Sequence, residues 1–162
     1  MFQLKKIRKE SIPEAIEKAE RYRLLNEPSL AESICADILE VDPQNNKAIV
    51  ISLLAITDQF ESSDQVTRAR QMLARLPGEY EKHYYEGIIC ERQARAILSR
   101  NKSHGFIAYD WLSDAMENYE KAEAVRPAGN DDSILRWNTC ARMIMQNHLQ
   151  PKQEEYVEPP LE

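Results

Sequence analysis

The chain has 162 residues, of which 43% are hydrophobic, 30% charged and 7% aromatic, with four glycines in all. That is enough apolar material for one folded domain and too little glycine and aromatic content for the tight turns of a sandwich or barrel, so an all-α fold is expected. Twenty-one basic residues face 27 acidic ones for a net charge of -6, the wrong sign for gathering phosphates, so nucleic acid is not an expected partner. No apolar run approaches the ~20 residues of a membrane span, and the opening MFQLKKIRKE has charges with no apolar segment behind them. Neither a membrane partner nor export is expected, and the expected compartment is the cytoplasm.

Residues 1–11 form an N-terminal segment ahead of the first predicted helix. Ser11-Ile12-Pro13-Glu14 has the form of a capping box and starts a helix over 12–25. Asn26-Glu27-Pro28 breaks the chain, and Pro28 suits the first turn of a helix over 28–41, whose Leu30, Ile34, Ile38 and Val41 recur at steps of three and four. After Asp42-Pro43 a third helix is predicted over 45–60, and Asp64 is placed to cap a fourth over 64–76. Pro77-Gly78 precedes a long fifth helix over 79–100. The stretch Asn101 to Gly105 separates it from a sixth over 107–126, and Pro127-Ala128-Gly129 from a seventh over 130–148, with Ile134, Trp137, Cys140 and Ile144 on one stripe. No strand is needed. Residues 149–162 carry three prolines and four glutamates with no apolar stripe, so a flexible acidic tail is expected there. Cys35, Cys90 and Cys140 lie about fifty residues apart without a CxxC pair and read as buried thiols in a reducing compartment.

An internal period organises these helices. Ile12 to Asn45 is a 34-residue unit of two helices and one turn, with Ala19 and Tyr22 on the first helix, Ala31, Cys35 and Ile38 on the second, and a close from Leu39 to Pro43. It resembles a tetratricopeptide repeat, in which small residues at the crossing let two helices approach while larger ones fill the groove beside them. A second unit runs from Asn46 to Gly78 with Val66, Leu73 and Leu76 on its second helix. Leu53 stands there in place of a small residue, so this pair is expected to splay. The third has Gly87 in the small position of its first helix and Ala115, Tyr119, Ala122, Val125 and Pro127 on its second. A mid-helix glycine costs ~1 kcal/mol against alanine, which close packing would explain. The third unit is about sixteen residues too long, and Arg92 to Gly105 reads as an overlong helix and a loop. The resemblance implies that residues 12–148 form an α-solenoid of three helix-turn-helix units plus a C-terminal capping helix.

The function implied by the resemblance is a non-enzymatic protein-protein interaction module, a scaffold or adaptor that holds a partner segment in an apolar concave groove. The groove-facing positions are Ile16, Glu20 and Arg23 from the first unit, Val50, Leu54 and Thr57 from the second, and Tyr84, Ile88, Glu91 and Arg95 from the third. Leu54, Tyr84 and Ile88 are the expected anchors. With glutamates beside arginines on the rims, the expected partner is amphipathic and only modestly charged. The family's clamp for the terminal carboxylates of chaperones is absent: Ile16 and Glu20 stand where Lys and Asn are needed, Leu54 where Asn is, and Glu81 and Tyr85 where Lys and Arg are. Two other readings compete. A self-assembling structural subunit would use the groove or the overlong helix to make a homo-oligomer, the groove's apolar residues being covered by a second copy, or, without assembly, by the chain's own tail. A metal-binding enzyme would use Glu79, His83, Glu86 and Cys90, which share one stripe of the fifth helix, but a metal cage needs ligands converging from a second element. No metal or cofactor is expected, and no Gly-rich phosphate loop or GxSxG elbow is present.

Overall fold

The computed structural model describes residues 1–154. Among these are seven helices and no strand: α1 Ile12–Leu24, α2 Pro28–Val41, α3 Asn46–Thr57, α4 Val66–Leu73, α5 Glu79–Arg100, α6 Gly105–Ala124 and α7 Asp132–Gln146. Each predicted helix is found, and the differences lie at the ends. Ser11 does not cap α1. A 3-10 turn over Lys9–Ser11 runs straight into the helix, Ser11 is itself helical in backbone (φ -86°, ψ -9°), and its side chain makes no capping bond. Asn45 does cap its helix, α3: its Oδ1 accepts from the Ala48 amide at 3.0 Å. Asp64 accepts from the Val66 amide at only 3.4 Å, and α4 spans eight residues rather than 64–76, because the chain on either side coils into turns. A second 3-10 turn, Lys102–His104, feeds α6, which starts at Gly105.

Each helix packs on the next in sequence, and the first helices of successive pairs also touch, α1 against α3 and α3 against α5. This is the sequential stacking of a helical-repeat, solenoid-like arrangement. Position in the stack explains composition. α3 lies between the outer pairs and buries eight of its twelve residues, so it is apolar nearly all round, whereas α7 at the edge buries only Ser133 and Cys140.

Three zones of core follow the three pairs. Ala19, Ala31, Cys35 and Ile38 fill the first, Leu53, Phe60, Leu73 and Ile89 the second, and Leu112, Ala115, Tyr119 and Cys140 the third. The small residues Ala19, Ala31, Ala115 and Ala122 are fully buried at their crossings. Gly87 shows why: a Cβ there would lie 2.5 Å from Cε1 of Tyr119, so α5 and α6 meet at a distance only glycine permits. All three cysteines are unpaired and buried, and burial pushes each thiol up to about 12.

α7 ends in a left-handed cap. His148 has φ 52°, its amide donates to Met145 O at 3.3 Å, and the Leu149 amide reaches Ile144 O at 3.0 Å. The Leu149 side chain then packs against the core of the third pair, beside Gly105 at the start of α6, so packing continues one residue past the expected boundary at 148. Residues 150–154 are exposed without helix. The remaining expectation of a tail falls on 155–162, outside the described residues.

Candidate functional site

Because α1, α3 and α5 lie side by side, their outward stripes share one face, and two clefts open on it. One, of about 510 Å³, sits at the C-terminal ends of α1 and α3 and is lined by Arg23, Asn26, Thr57, Asp58, Arg92 and Arg95 among others. The second, of about 400 Å³, lies nearer the helix starts and is the more apolar, with Val50, Ile51, Leu76, Pro77 and Tyr85 beside Glu20 and Lys47.

Asp58 organises the first cleft. It stands just past α3, at the helix end whose dipole disfavours a carboxylate, and two arginines from other units compensate. Arg23 of α1 donates from Nε at 2.6 Å and from its terminal nitrogen at 3.1 Å, while Arg92 of α5 donates at 2.8 Å. All three side chains are mostly buried, and the Arg23 contact is bidentate, the strong form of such a pair. One carboxylate therefore joins the first helices of all three units.

A second carboxylate centre lies deeper. Glu91 of α5 is 0% exposed; its Oε2 accepts from the Tyr119 hydroxyl of α6 at 3.0 Å and from Arg136 of α7 at 3.3 Å. Its Oε1 faces Arg95 at 3.7 Å, too far for a hydrogen bond. Burial and the neighbouring Glu91 both drive the Tyr119 phenol far above its usual range. Burial works against the charge of Arg136, but Glu91 and the Tyr84 hydroxyl outweigh it, and its pKa is raised.

The ten groove positions divide accordingly. Glu20 is exposed and Val50 half-buried at the apolar cleft, while Arg23, Thr57 and Arg95 line the arginine cleft. Ile16 and Leu54 are half-buried against the cores beneath them. Thr57 is buried and spends its hydroxyl on Leu54 O at 2.7 Å. Ile88, at 2% exposure, and Glu91 belong to the interior of the third pair and offer no anchor or rim. Tyr84 lines neither cleft; it stacks on Tyr80 (5.6 Å, 12°) and tilts against Tyr119 (5.9 Å). Asp58, Arg92, Arg136 and Tyr119, which build the two centres, were not among those ten.

The metal stripe is taken up otherwise. Glu86 is held by Arg70 at 2.6 and 2.9 Å and accepts from the Cys90 thiol at 3.7 Å, while Glu79 lies 3.9 Å from His83 at the exposed start of α5. Among the described residues no group of three or more His, Cys, Asp or Glu is arranged to hold a metal. No described helix is long and apolar enough to cross a membrane. A further cleft of about 420 Å³, lined from α2, α3 and α4, is bridged by Glu32, which pairs with both Arg68 and Gln59. Set against protein-family models, curated proteins and solved structures, the chain gives no significant match to any of them.

Proposed function

We propose that this chain is a non-enzymatic protein-interaction module of tetratricopeptide type, acting in a reducing cytoplasm, that receives a segment of another protein along the face made by α1, α3 and α5. The observation that carries the reading is the Asp58 bridge. Arg23, Asp58 and Arg92 tie the three first helices together, so the two clefts are held in fixed relation on one surface rather than on independently moving pairs. The fully buried Ala19, Ala31, Gly87 and Ala115 support the tetratricopeptide register, because they fall on its small positions. Leu54 and Val50 supply apolar contact and the arginines supply orientation. The buried Glu91 leaves the rim with less negative charge than its sequence position suggests, so the preferred partner is more acidic than a merely amphipathic helix. The three unpaired thiols support the reducing compartment.

A photo-reactive side chain placed at Glu20 or Asn26, both exposed on this face, against Ser33 of α2 and Glu117 of α6, exposed on the second helices, tests the reading. The same partner should be captured from the first two positions and not from the others. Capture from Ser33 or Glu117 instead would move the working surface to the second helices, and light scattering that shows a stable homo-oligomer covering α1, α3 and α5 would favour self-assembly.

A further inference from the structure

The residues after Glu91 are one-sided in charge. From Arg92 to Tyr109 the chain carries Arg92, Arg95, Arg100 and Lys102 and no acidic residue, in a protein of net charge -6. This is the stretch that makes α5 overlong. Arg92 and Arg95 line the 510 Å³ cleft with Arg23, and Arg100 reaches the rim of the same cleft, where it donates to the backbone carbonyls of Phe60 and Glu61 rather than to a carboxylate. Asp58 is shared by two of these arginines, and the buried Glu91 is shared between Arg95 and Arg136. Glu61 also lines the cleft, so Arg23, Arg92, Arg95 and Arg100 stand against Asp58, Glu61 and the shared, buried Glu91, and a modest positive surplus is left at this end of the face.

The complementary charge lies in the same chain. From Glu154 to Glu162 there are four glutamates and no basic residue, interleaved with Tyr156, Val157 and Leu161. The place where this segment leaves the fold is fixed: the left-handed turn at His148 and the Leu149 amide bond to Ile144 O close α7, and the Leu149 side chain lies against Gly105, where an added Cβ would stand 3.3 Å from its Cδ2. Gly105 directly follows the turn Lys102–His104 after α5, so the chain departs at the end of the molecule where α5 terminates. At 1.5 Å rise per residue Arg95 is ~7 Å and Arg92 ~12 Å back along α5. The five residues 150–154 alone span up to ~17 Å when extended, which brings Glu154 and Glu155 within reach of all three arginines.

We propose that the acidic C-terminal segment of this chain, residues 155–162, carried on the exposed stretch 150–154, docks in its own arginine-lined cleft and occupies the site that a foreign acidic segment must enter by displacing it. Tethering makes the contact intramolecular, with an effective concentration that a free partner must exceed, and the attraction is screened by salt. The proposal rests on the reading of the α1–α3–α5 face as a docking surface.

The test uses the full chain with Val157→Cys carrying a nitroxide. The unsubstituted chain, whose three thiols are buried, serves as the labelling control. At low salt, amide signals of residues 23–26, 58–61 and 92–95 should be broadened several-fold more than those of α2 and α4. The excess should vanish at about 0.5 M salt and in the triple variant Glu154→Gln, Glu155→Gln, Glu158→Gln. Broadening confined to the neighbourhood of Gly105 and Leu149, or unchanged by the triple variant, would overturn the proposal. So would broadening that arises only between a labelled chain and an unlabelled, isotope-enriched one, since the occupant would then be a second copy. Failure here leaves the cross-linking result from Glu20 and Asn26 standing, so the two readings fail separately.

Discussion

Glu91 and Asp58 are both carboxylates held between arginines, yet one is part of a core and the other of a surface. Glu91 is fully buried and joins α5, α6 and α7 through Arg136 and Tyr119. Asp58 keeps 17% of its side chain exposed and joins α1, α3 and α5 at the mouth of a cleft. The same ionic chemistry thus fastens the last unit to its covering helix and, nearer water, aligns the three first helices. Depth decides the energy, because a charge stripped of its partners in the interior has no water to replace them.

The largest expected effect follows from that difference. Glu91→Ala leaves Arg136 and the Tyr119 hydroxyl without their acceptor and should cost about 3 kcal/mol in urea unfolding, while Tyr119→Phe removes one hydrogen bond for about 1 kcal/mol. A cost for Glu91→Ala below that of Asp58→Ala would show that depth does not set the energy of the two centres. Close to it comes Gly87→Leu, which places a side chain where the Tyr119 ring already lies and should lower stability by about 1–3 kcal/mol; an unchanged melting temperature would deny the close crossing. Asp58→Ala should cost about 1–2 kcal/mol, less than Glu91→Ala because Arg23 and Arg92 can turn to water.

What could be read from the sequence follows the range of the interaction involved. The close crossing at Gly87 was legible because a glycine inside a helix is costly and asks for a steric reason. The long α5 was legible from the helix formers of Arg92 to Leu98, which carry the helix on before the breaking stretch Asn101 to Gly105. Glu91 was misplaced on a rim because its burial depends on Tyr119 and Arg136, 28 and 45 residues away, which no local spacing encodes. Asp58 did leave a signal, a carboxylate at a helix C-terminus, where only an external cation makes it favourable. The capping-box pattern at Ser11 failed since the preceding turn put that residue in helical conformation and took its amide to Arg8 O.

The thiols ionise near 9.0 in the unfolded chain and near 12 when buried. Their contribution to stability is therefore complete below pH 9 and is lost as pH rises from there toward 12. Urea midpoints should hold steady to about pH 9 and fall above it, and thiol reagents should label the native chain slowly and the unfolded chain fast. The exposed Glu117–Lys121 pair on α6 should contribute within about 0.5 kcal/mol, so Glu117→Ala serves as the surface reference.

The measurement that bears most directly on a stack of units fastened by two separate carboxylates is residue-resolved amide hydrogen exchange on Asp58→Ala and Glu91→Ala. In a stack each unit depends chiefly on its neighbours. Asp58→Ala should therefore raise exchange most in α1 and α2 while α6 and α7 keep their protection, and Glu91→Ala should do the reverse, releasing α7 first. Equal loss of protection across all seven helices in both variants would contradict the account, since the chain would then be one cooperative core in which neither carboxylate fastens a particular unit.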